Sequence, residues 1–466
     1  MLFKVIQSSN KRPNLALLSS VRKCFCSCNQ AAVDLASKDG EMRVFLVAGE
    51  VSGDVIGSRL ISALKKLSPY PIRVAGVGGS MMEKHGLKSI FPIEDIAVMG
   101  IGELLPHLYK FQVRLKETCE AAISFRPHVV VTIDSKGFSF RLLNKLKARY
   151  GQQESIAPLH FHYVAPSFWA WKGGEARLKG LSEIVDHVLC ILPFEEEACK
   201  SYGLNATFVG HPVLEDILEL NMGKNTKEQG WKAQGNADVF RNKYGVSSGS
   251  TMLTLLPGSR LQEVRRMLPI YSKTMNLVKS SVKDMTTVIH VAPNKYVEDY
   301  ITRAVNEWPT PVVLVPGGSS RTKYDAFSAS TAALCTSGTV AMELQLARLP
   351  CVVAYRAHFL TEWAIRYKAK IPYMSLPNIL LDSPVIPEAL FRECTPTRLA
   401  SLLMELMNNE EVREEQLIAA EKVMKLLSPP PLHIIDPNWD CNISSFDNTP
   451  SLIAAWTVLY HQRLRV

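Results

Sequence analysis

From residue 42 onward the chain alternates between two kinds of pattern. Arg43 to Ala48 reads as a strand, apolar without a break from Val44, and after the turn Gly49-Glu50-Val51-Ser52-Gly53 the apolar positions Ile56, Leu60, Ile61 and Leu64 recur at helical spacing. A short run without alternation marks a strand buried on both faces, and the i, i+4 recurrence marks an amphipathic helix. The same rhythm returns at "IRVAGVGG", "HVVVTIDS", "HFHYVAP" and "HVLCILP". Strands of this kind separated by helices predict a parallel sheet with helices on both faces.

The rhythm breaks at residues 221–250, "NMGKNTKEQGWKAQGNADVFRNKYGVSSGS", which are polar and spotted with glycine. A second alternation then runs through "TMLTLLPGS", "TTVIHVAP", "PVVLVPGG", "AALCTSG" and "PCVVAYR" until "SPPPLHIIDPNW" ends it. The expected organisation is an α/β chain: a leader over 1–40, a Rossmann-like domain over 41–220, a linker region over 221–250, a second Rossmann-like domain over 251–428 and a tail over 429–466. Ordered chain is expected to begin at Met42, and the last stretch, "PSLIAAWTVLYHQRLRV", is expected to form an amphipathic helix. Two such doubly wound domains face each other across a cleft at the carboxyl ends of their strands, where ligands bind.

Length and composition change this picture little. At 466 residues, 47% hydrophobic and 21% charged, the chain has room for two cores in a soluble protein. No stretch approaches the roughly 20 apolar residues of a membrane-spanning helix, so membrane contact is expected to be peripheral. "IAVMGIGELLPHLYKF", with Met99, Ile101, Leu104, Leu105 and Leu108, could supply it, or could be an ordinary packed helix. The net charge of +9 owes five units to Lys4, Lys11, Arg12, Arg22 and Lys23, in a first segment without acidic residues; without them it is +4. No concentrated basic stripe remains, which removes the main support for nucleic acid as a partner. That basic, serine-rich segment has the composition of a mitochondrial transit peptide. The cysteines of its "CFCSC", Cys24, Cys26 and Cys28, carry no metal or redox reading inside a segment expected to be cleaved, and the other seven are scattered, as reduced thiols would be.

Candidate chemistry gathers at the strand-to-helix junctions. Neither Gly49-Glu50-Val51-Ser52-Gly53-Asp54 nor Pro257-Gly258-Ser259-Arg260 has the G-x-G-x-x-G spacing, so a dinucleotide cofactor is not expected. In the first loop Glu50 and Asp54 could accept hydrogen bonds from sugar hydroxyls, or Ser52 or Asp54 could cap the helix. In the second, the N–H groups of Gly258 and Ser259 with the Arg260 fork suggest an anion site; Arg265 and Arg266 read as a solvated face. Ser337-Gly338-Thr339 open another helix, one to whose first turns Glu343 adds a carboxylate able to hold a ribose diol or simply to face solvent. Asn378 lies in "SLPNIL". Asp134 closes a buried strand, a costly place for a carboxylate unless it is bonded or used, so it is the candidate general base, with helix capping as the alternative. Trp169 and Trp171, on an extended segment, could stack on a sugar or an acyl chain, or pack in the core. His160 and His162 lack a third ligand and read as core histidines; His211 ends a strand near the linker and could equally serve a turn. There is no D-x-D, so no metal site is expected.

In order, "VAGEVSGD", "GVGGSMMEKHGL", "MGIGELLPHL", "TIDSKGF", "HYVAPSFWAWK", "LPFE", "FVGHPV", "LLPGSRLQEV", "TSGTVAMEL" and "YMSLPNIL" resemble the motifs of the lipid-A-disaccharide synthases, over about Met42 to Leu427. The resemblance implies a GT-B glycosyltransferase that inverts the anomeric centre. It would transfer 2,3-diacylglucosamine from its UDP conjugate to 2,3-diacylglucosamine 1-phosphate, giving a β-1,6-linked disaccharide phosphate and UDP. It implies Asp134 as base toward the acceptor 6-hydroxyl and Gly258, Ser259, Arg260, Ser337, Gly338, Thr339, Glu343 and Asn378 around UDP. No covalent nucleophile and no cofactor are then required, and Arg260 with the helix termini would stabilise the departing diphosphate. The N-terminal extension resembles that of organelle-targeted plant members, which implies a mitochondrial location, on the matrix side and peripheral to the inner membrane. Some members exchange C-terminal segments between subunits. The tail after "SPPPLH" matches no such segment, so a homodimer stays an open expectation.

Overall fold

The computed structural model describes residues 31–96, 108–152, 156–220, 231–357, 359–430 and 448–461. The apolar runs are strands, and they form two six-stranded sheets in which every pairing is parallel. The first contains β1 (Met42–Ala48), β2 (Ile72–Val77), β3 (Val129–Ile133), β4 (Leu159–Tyr163), β5 (His187–Cys190) and β6 (Ala206–Phe208), in the order β2-β1-β3-β4-β5-β6. The second contains β7 (Thr251–Leu256), β8 (Met285–Val291), β9 (Val312–Pro316), β10 (Ala332–Cys335), β11 (Cys351–Tyr355) and β12 (Glu388–Leu390), in the order β12-β11-β10-β7-β8-β9.

The lack of alternation in β1 has its reason in the layers. Val44, Leu46 and Ala48 point into one buried cluster, and Phe45 and Val47 into the cluster on the opposite face. Both faces are covered by helices, so neither set of positions can be polar.

Strand order reverses between β1 and β3 in one sheet and between β7 and β10 in the other. Crevices at such reversals, beyond the carboxyl ends of the strands, are where ligands of these sheets bind. The residues that follow those four strands are Gly49-Glu50, Asp134, Pro257 to Arg260 and Thr336 to Gly338. The four junctions singled out in the sequence therefore flank the two switch points.

Three boundary expectations need correction. Ordered chain begins before Met42: the helix Ala32–Ala36 has Ala32 and Ala36 fully buried in the same cluster as Val44 and Leu46. Five alanine-rich residues carry too little periodicity to be told from a leader. Part of the expected linker also belongs to the second sheet's layers, because the helix Ala237–Tyr244 packs on Ser320–Ala329, and Ala233 N–H donates to Leu346 O at 3.0 Å. The tail, finally, does not stand apart. Its helix Pro450–Tyr460, capped by Thr449, is buried nearly all round against the helix Val51–Leu67 of the first sheet. An amphipathic helix was expected; this one is apolar on most sides because it completes a core.

The chain passes from one sheet to the other beside the place where it returns. His211 N–H donates to Leu427 O at 3.0 Å, and Gly210, with φ +88°, leaves no room for a Cβ beside Pro429. One apolar cluster is continuous across the junction, joining Leu192, Val213 and Ile217 to Leu256, Met342 and Leu427. The apolar patch through Met99, Ile101, Leu104 and Leu105, the side chain of Leu108, and the Cys24–Cys26–Cys28 group lie outside the described residues.

Candidate active site

On the first sheet β3 ends in two consecutive non-glycine residues in left-handed conformation, Asp134 at φ 50° and Ser135 at φ 45°. Such conformations cost on the order of 1–3 kcal/mol each and persist where surrounding structure holds them. Here Asp134 N–H donates to Tyr163 O at 2.9 Å, and Ser139 Oγ donates to Asp134 O at 2.7 Å. The backbone is pinned on both sides, and the carboxylate is turned to the strand end. Burial raises its pKa, while the Ser135 N–H, Arg260 and Lys136 pull the other way.

Glu50 sits one strand away, before the helix Val51–Leu67, whose first turn has no side-chain cap. The two loops touch: a Cβ on Gly49 would come within 2.3 Å of Ser135 Cβ, so only glycine allows the approach. Burial raises the Glu50 pKa and nearby Asp134 adds to this, against the pull of Arg260.

Arg260 closes the arrangement from the second sheet, with its Nη2 at 2.5 Å from Glu50 Oε1. The two switch points are thus joined by one ion pair, with Asp134 in the same electrostatic neighbourhood. Two half-buried carboxylates, Glu50 and Asp134, thus share the field of the Arg260 guanidinium.

The Pro257-Gly258-Ser259-Arg260 turn departs from expectation. Glu263, three residues after Arg260, turns back so that its carboxylate accepts from the Ser259 and Arg260 N–H groups and lies where a Gly258 side chain would go. This is half of a capping box, and it occupies the Ser259 N–H, one of the two backbone donors assigned to an anion. The helix Thr339–Ala347 is the open one: its N-cap Gly338 (φ 120°) provides no side-chain cap, and Thr339 is exposed. Ser337 borders it with its hydroxyl donated to Met374 O at 2.8 Å.

Glu343 faces inward, with Oε1 2.9 Å from Lys323 Nζ. Lys323 also lies 3.7 Å from Asp216, which accepts from Arg59 at 2.6 Å and from the Tyr324 hydroxyl at 2.7 Å. A chain of buried charges therefore runs from the helix Val51–Leu67 to Glu343. Among the described residues Glu343 Oε2 has no partner.

Three candidate side chains are used up by the fold. Asp54 accepts from the N–H groups of Gly79, Met81 and Met82 at 2.8–3.0 Å, which fastens the turn after β2 and leaves little for a sugar. Asn378 is fully buried; its amide exchanges hydrogen bonds with Ile386 and donates to Glu388. His211 caps the short helical turn Pro212–Glu215, accepting from Val213 N–H at 3.2 Å, and burial lowers its pKa to about 4. Ser52 is half-buried in the uncapped first turn after Glu50.

Trp169 is not on an extended segment, since Phe168–Ala170 forms a tight helical turn, whereas Trp171, just after it, is extended. Trp169 donates to Glu195 Oε1 at 3.1 Å and packs on the junction cluster, while Trp171 pairs with Ala369 of the second unit. Burial pushes Glu195 up to about 7. His162 Nδ1 bonds to Thr132 Oγ1 at 2.8 Å, and among the described residues no group of three metal-binding side chains occurs.

A profile of the lipid-A-disaccharide synthetase family matches residues 44–430. The chain belongs to the lipid-A-disaccharide synthase family. It is 58% identical to a probable mitochondrial lipid-A-disaccharide synthase of Arabidopsis thaliana, over 99% of this chain and 100% of that one. It is 40% identical to a lipid-A-disaccharide synthase of Rhodospirillum centenum, over 82% and 90% of the two chains. Among solved structures, the UDP-GlcNAc 2-epimerase of Neisseria meningitidis superposes with a TM-score of 0.55 at 12% identity, covering 82% of this chain and 98% of its own. That of Methanocaldococcus jannaschii gives 0.52 at 12%, covering 83% and 99%. These likenesses concern the fold, which is GT-B.

Sequence reasoning missed two residues of the site region, Glu263 and Lys323, and one pairing, that of Glu50 with Arg260. Glu263 was signalled by its spacing three residues after the helix start. Lys323 and the pairing of Glu50 with Arg260 carried no local signal, because their partners are distant in sequence.

Proposed function

We propose that this chain is the hexosyltransferase that joins UDP-2,3-diacylglucosamine to 2,3-diacylglucosamine 1-phosphate, releasing UDP and the β-1,6-linked disaccharide 1-phosphate. Asp134 takes the proton from the acceptor 6-hydroxyl as that oxygen attacks the anomeric carbon. The bond to the diphosphate breaks on the opposite face, so the centre inverts in one displacement. The observation that carries this reading is the meeting of Asp134 and Arg260, from facing sheets, around the Glu50 carboxylate. A base and a cation for the leaving group are both at the switch points, and a binding protein has no use for the base.

Arg260 leaves Glu50 when the diphosphate arrives, and its guanidinium then neutralises the charge that grows as the bond breaks. The Thr339 N–H at the open helix start is the second donor, with Ser337 and Gly338 shaping the turn. Glu343 Oε2 accepts from the ribose, held in place by Lys323. Gly258 and Ser259 act by shaping the Arg260 turn, and Ser52 lines the Glu50 side. Asp54, His211 and Asn378 brace the loops, and Trp169 joins the two units beside the cleft.

The mitochondrial name of the Arabidopsis relative supports a mitochondrial location here; the matrix side, peripheral attachment to the inner membrane and removal of a leader within 1–40 are further parts of the proposal. Among the described residues no helix is long and apolar enough to cross a membrane. Association as a homodimer is part of this reading, tested by light scattering. The domain limits follow the two sheets, with the corrections above.

Incubating the protein with the donor and the phosphorylated acceptor in EDTA, and reading products by mass spectrometry, tests the function. Disaccharide phosphate and UDP in equal amounts are expected. UDP binding without disaccharide from any lipid acceptor would sink the reading.

A further inference from the structure

Beside Asp134, two cations converge on one aromatic ring. Lys136 Nζ lies 5.7 Å from the centroid of Phe168, and the guanidinium carbon of Arg177 lies 5.8 Å from it. Lys136 opens the helix Lys136–Tyr150 two residues after Asp134, and Arg177 opens Arg177–Leu181, beyond the loop that follows β4. That loop is tightly folded beneath the ring: a Cβ on Gly174 would sit 2.1 Å from Phe168 O, and Arg177 N–H donates to Gly174 O at 3.0 Å. Phe168 itself is buried.

We propose that Lys136 and Arg177 form the subsite for the phosphate monoester of the acceptor, a proposal that rests on the reaction assigned above. Neither cation has a carboxylate within ion-pair distance among the described residues, although both are held against the same ring. Two like charges at one ring repel, and the arrangement is relieved by an anion between them. Desolvation lowers the Lys136 pKa, Asp134 pulls it up, and Arg177 adds to the lowering.

The charge and the position both select the acceptor. A phosphate monoester carries about −1.5 to −2 charges near pH 7, which two cations match. The donor's diphosphate is directed to Arg260 on the second sheet. The acceptor must instead present a hydroxyl to Asp134, and the two cations stand on the same sheet as Asp134, one of them on the same loop. They also offset the repulsion between Asp134 and an arriving dianion. Both cations are placed by Phe168 and the loop beneath it, and a neutral sugar would leave their charge uncompensated.

The test compares the diacylglucosamine 1-phosphate acceptor with the same lipid lacking its phosphate, for the full chain and for Lys136→Met, Arg177→Met and the double variant. Thermal melting checks that the fold is kept. Each lost charge-assisted contact is expected to raise KM for the phosphorylated acceptor about 10-fold or more. The KM for the donor and the kcat should stay within about threefold of the parent. Assayed well above the acidic limb of the profile, where losing the pull of Lys136 on Asp134 no longer changes the ionisation of the base, the dephosphorylated acceptor should be turned over as by the parent, so that the preference for phosphate collapses in the double variant, and Lys136→Arg should restore most of it. Equal losses on both acceptors, or a retained preference, would overturn the subsite. Calorimetric binding of the two lipids to the parent and the double variant separates this from the function itself. Phosphate-dependent binding that needs Lys136 and Arg177 without any turnover would overturn the reaction and keep the subsite. Binding of the phosphorylated lipid that ignores both cations would overturn the subsite whatever the turnover.

Discussion

Replacing Arg59 with methionine tests how the two sheets are held in register. The guanidinium meets Asp216 at 2.6 Å, Glu219 at 2.7 Å, Pro212 O at 2.7 Å and Glu215 at 3.7 Å. Methionine keeps the apolar stem and removes every donor. Glu219 is 41% exposed and loses little, because water screens it. Glu215 and Asp216 have side chains 7% and 8% exposed; among the described residues Asp216 keeps Lys323 at 3.7 Å, while Glu215 keeps the Ser451 N–H but no ion pair. Breaking a buried pair by removing one partner costs about 3–5 kcal/mol, a large share of the roughly 5–15 kcal/mol that holds a domain together. The sign of the pH dependence follows. Burial raises Glu215 even with Arg59 present, and removing the cation raises it further. A folded pKa above the unfolded value gives stability that is full at low pH and lost as pH rises through the folded value. Burial would also raise Asp216, but Lys323 and Arg59 hold it below its ordinary value. Its contribution is present above the unfolded pKa of about 3.9 and shrinks without Arg59. Both terms make the variant's deficit larger at pH 8 than at pH 5. Urea unfolding at the two pH values, followed by fluorescence and circular dichroism, reads it out. A deficit below about 1 kcal/mol at pH 8, or one that grows toward acid, would refute the reasoning.

Other outcomes follow from the same geometry. Asp134→Asn should lower kcat by about 10²–10⁴ while calorimetry shows UDP binding unchanged. The acidic limb of the parent's kcat/KM profile should lie above the ordinary carboxylate range and should rise further in Arg260→Met, since Arg260 pulls the Asp134 pKa down; a limb that moves down would contradict the coupling. Glu50→Gln should strengthen UDP binding by freeing Arg260, measured by titration, whereas weakened binding would make Glu50 a ligand and not a competitor. Glu195, raised to about 7 by burial, should lose stability as pH passes upward through that value, so Glu195→Gln should be the more stable protein at pH 8.5 and not at pH 5, by thermal melting. A chain beginning at residue 41 should melt lower than one beginning at residue 31, because it loses the buried Ala32–Ala36 helix.

The layers of the fold were legible wherever burial is two-sided. The run Val44 to Ala48 has no polar position to spare, and Val129 to Ile133 has one, Thr132, whose hydroxyl is taken up by His162. Asp134 was legible for a related reason, a charge where the strand's environment makes one costly. The Ala32–Ala36 and Pro450–Tyr460 helices were misjudged because their burial depends on each other and on the helix Val51–Leu67, which no local pattern expresses. Side-chain roles failed in the same way. Asp54 looked available because its partners, the N–H groups of Gly79, Met81 and Met82, lie 25 to 28 positions on. Asn378 looked like a loop residue facing a ligand, and its amide instead completes the turn to Ile386. Arg260 kept its position at the switch point, but its partner comes from the opposite sheet.

The helix Pro450–Tyr460 sets a timetable for biosynthesis. Residues from Ala32 to Val209 share one core cluster with Leu452 to Leu459, so the first unit to leave the ribosome cannot finish its interior until the codons for 452–459 have been read. Domains commonly fold in order of emergence; this one must wait, with the surface of Val51–Leu67 uncovered throughout translation of the second unit. A stop codon late in the message would therefore damage the half of the protein made first.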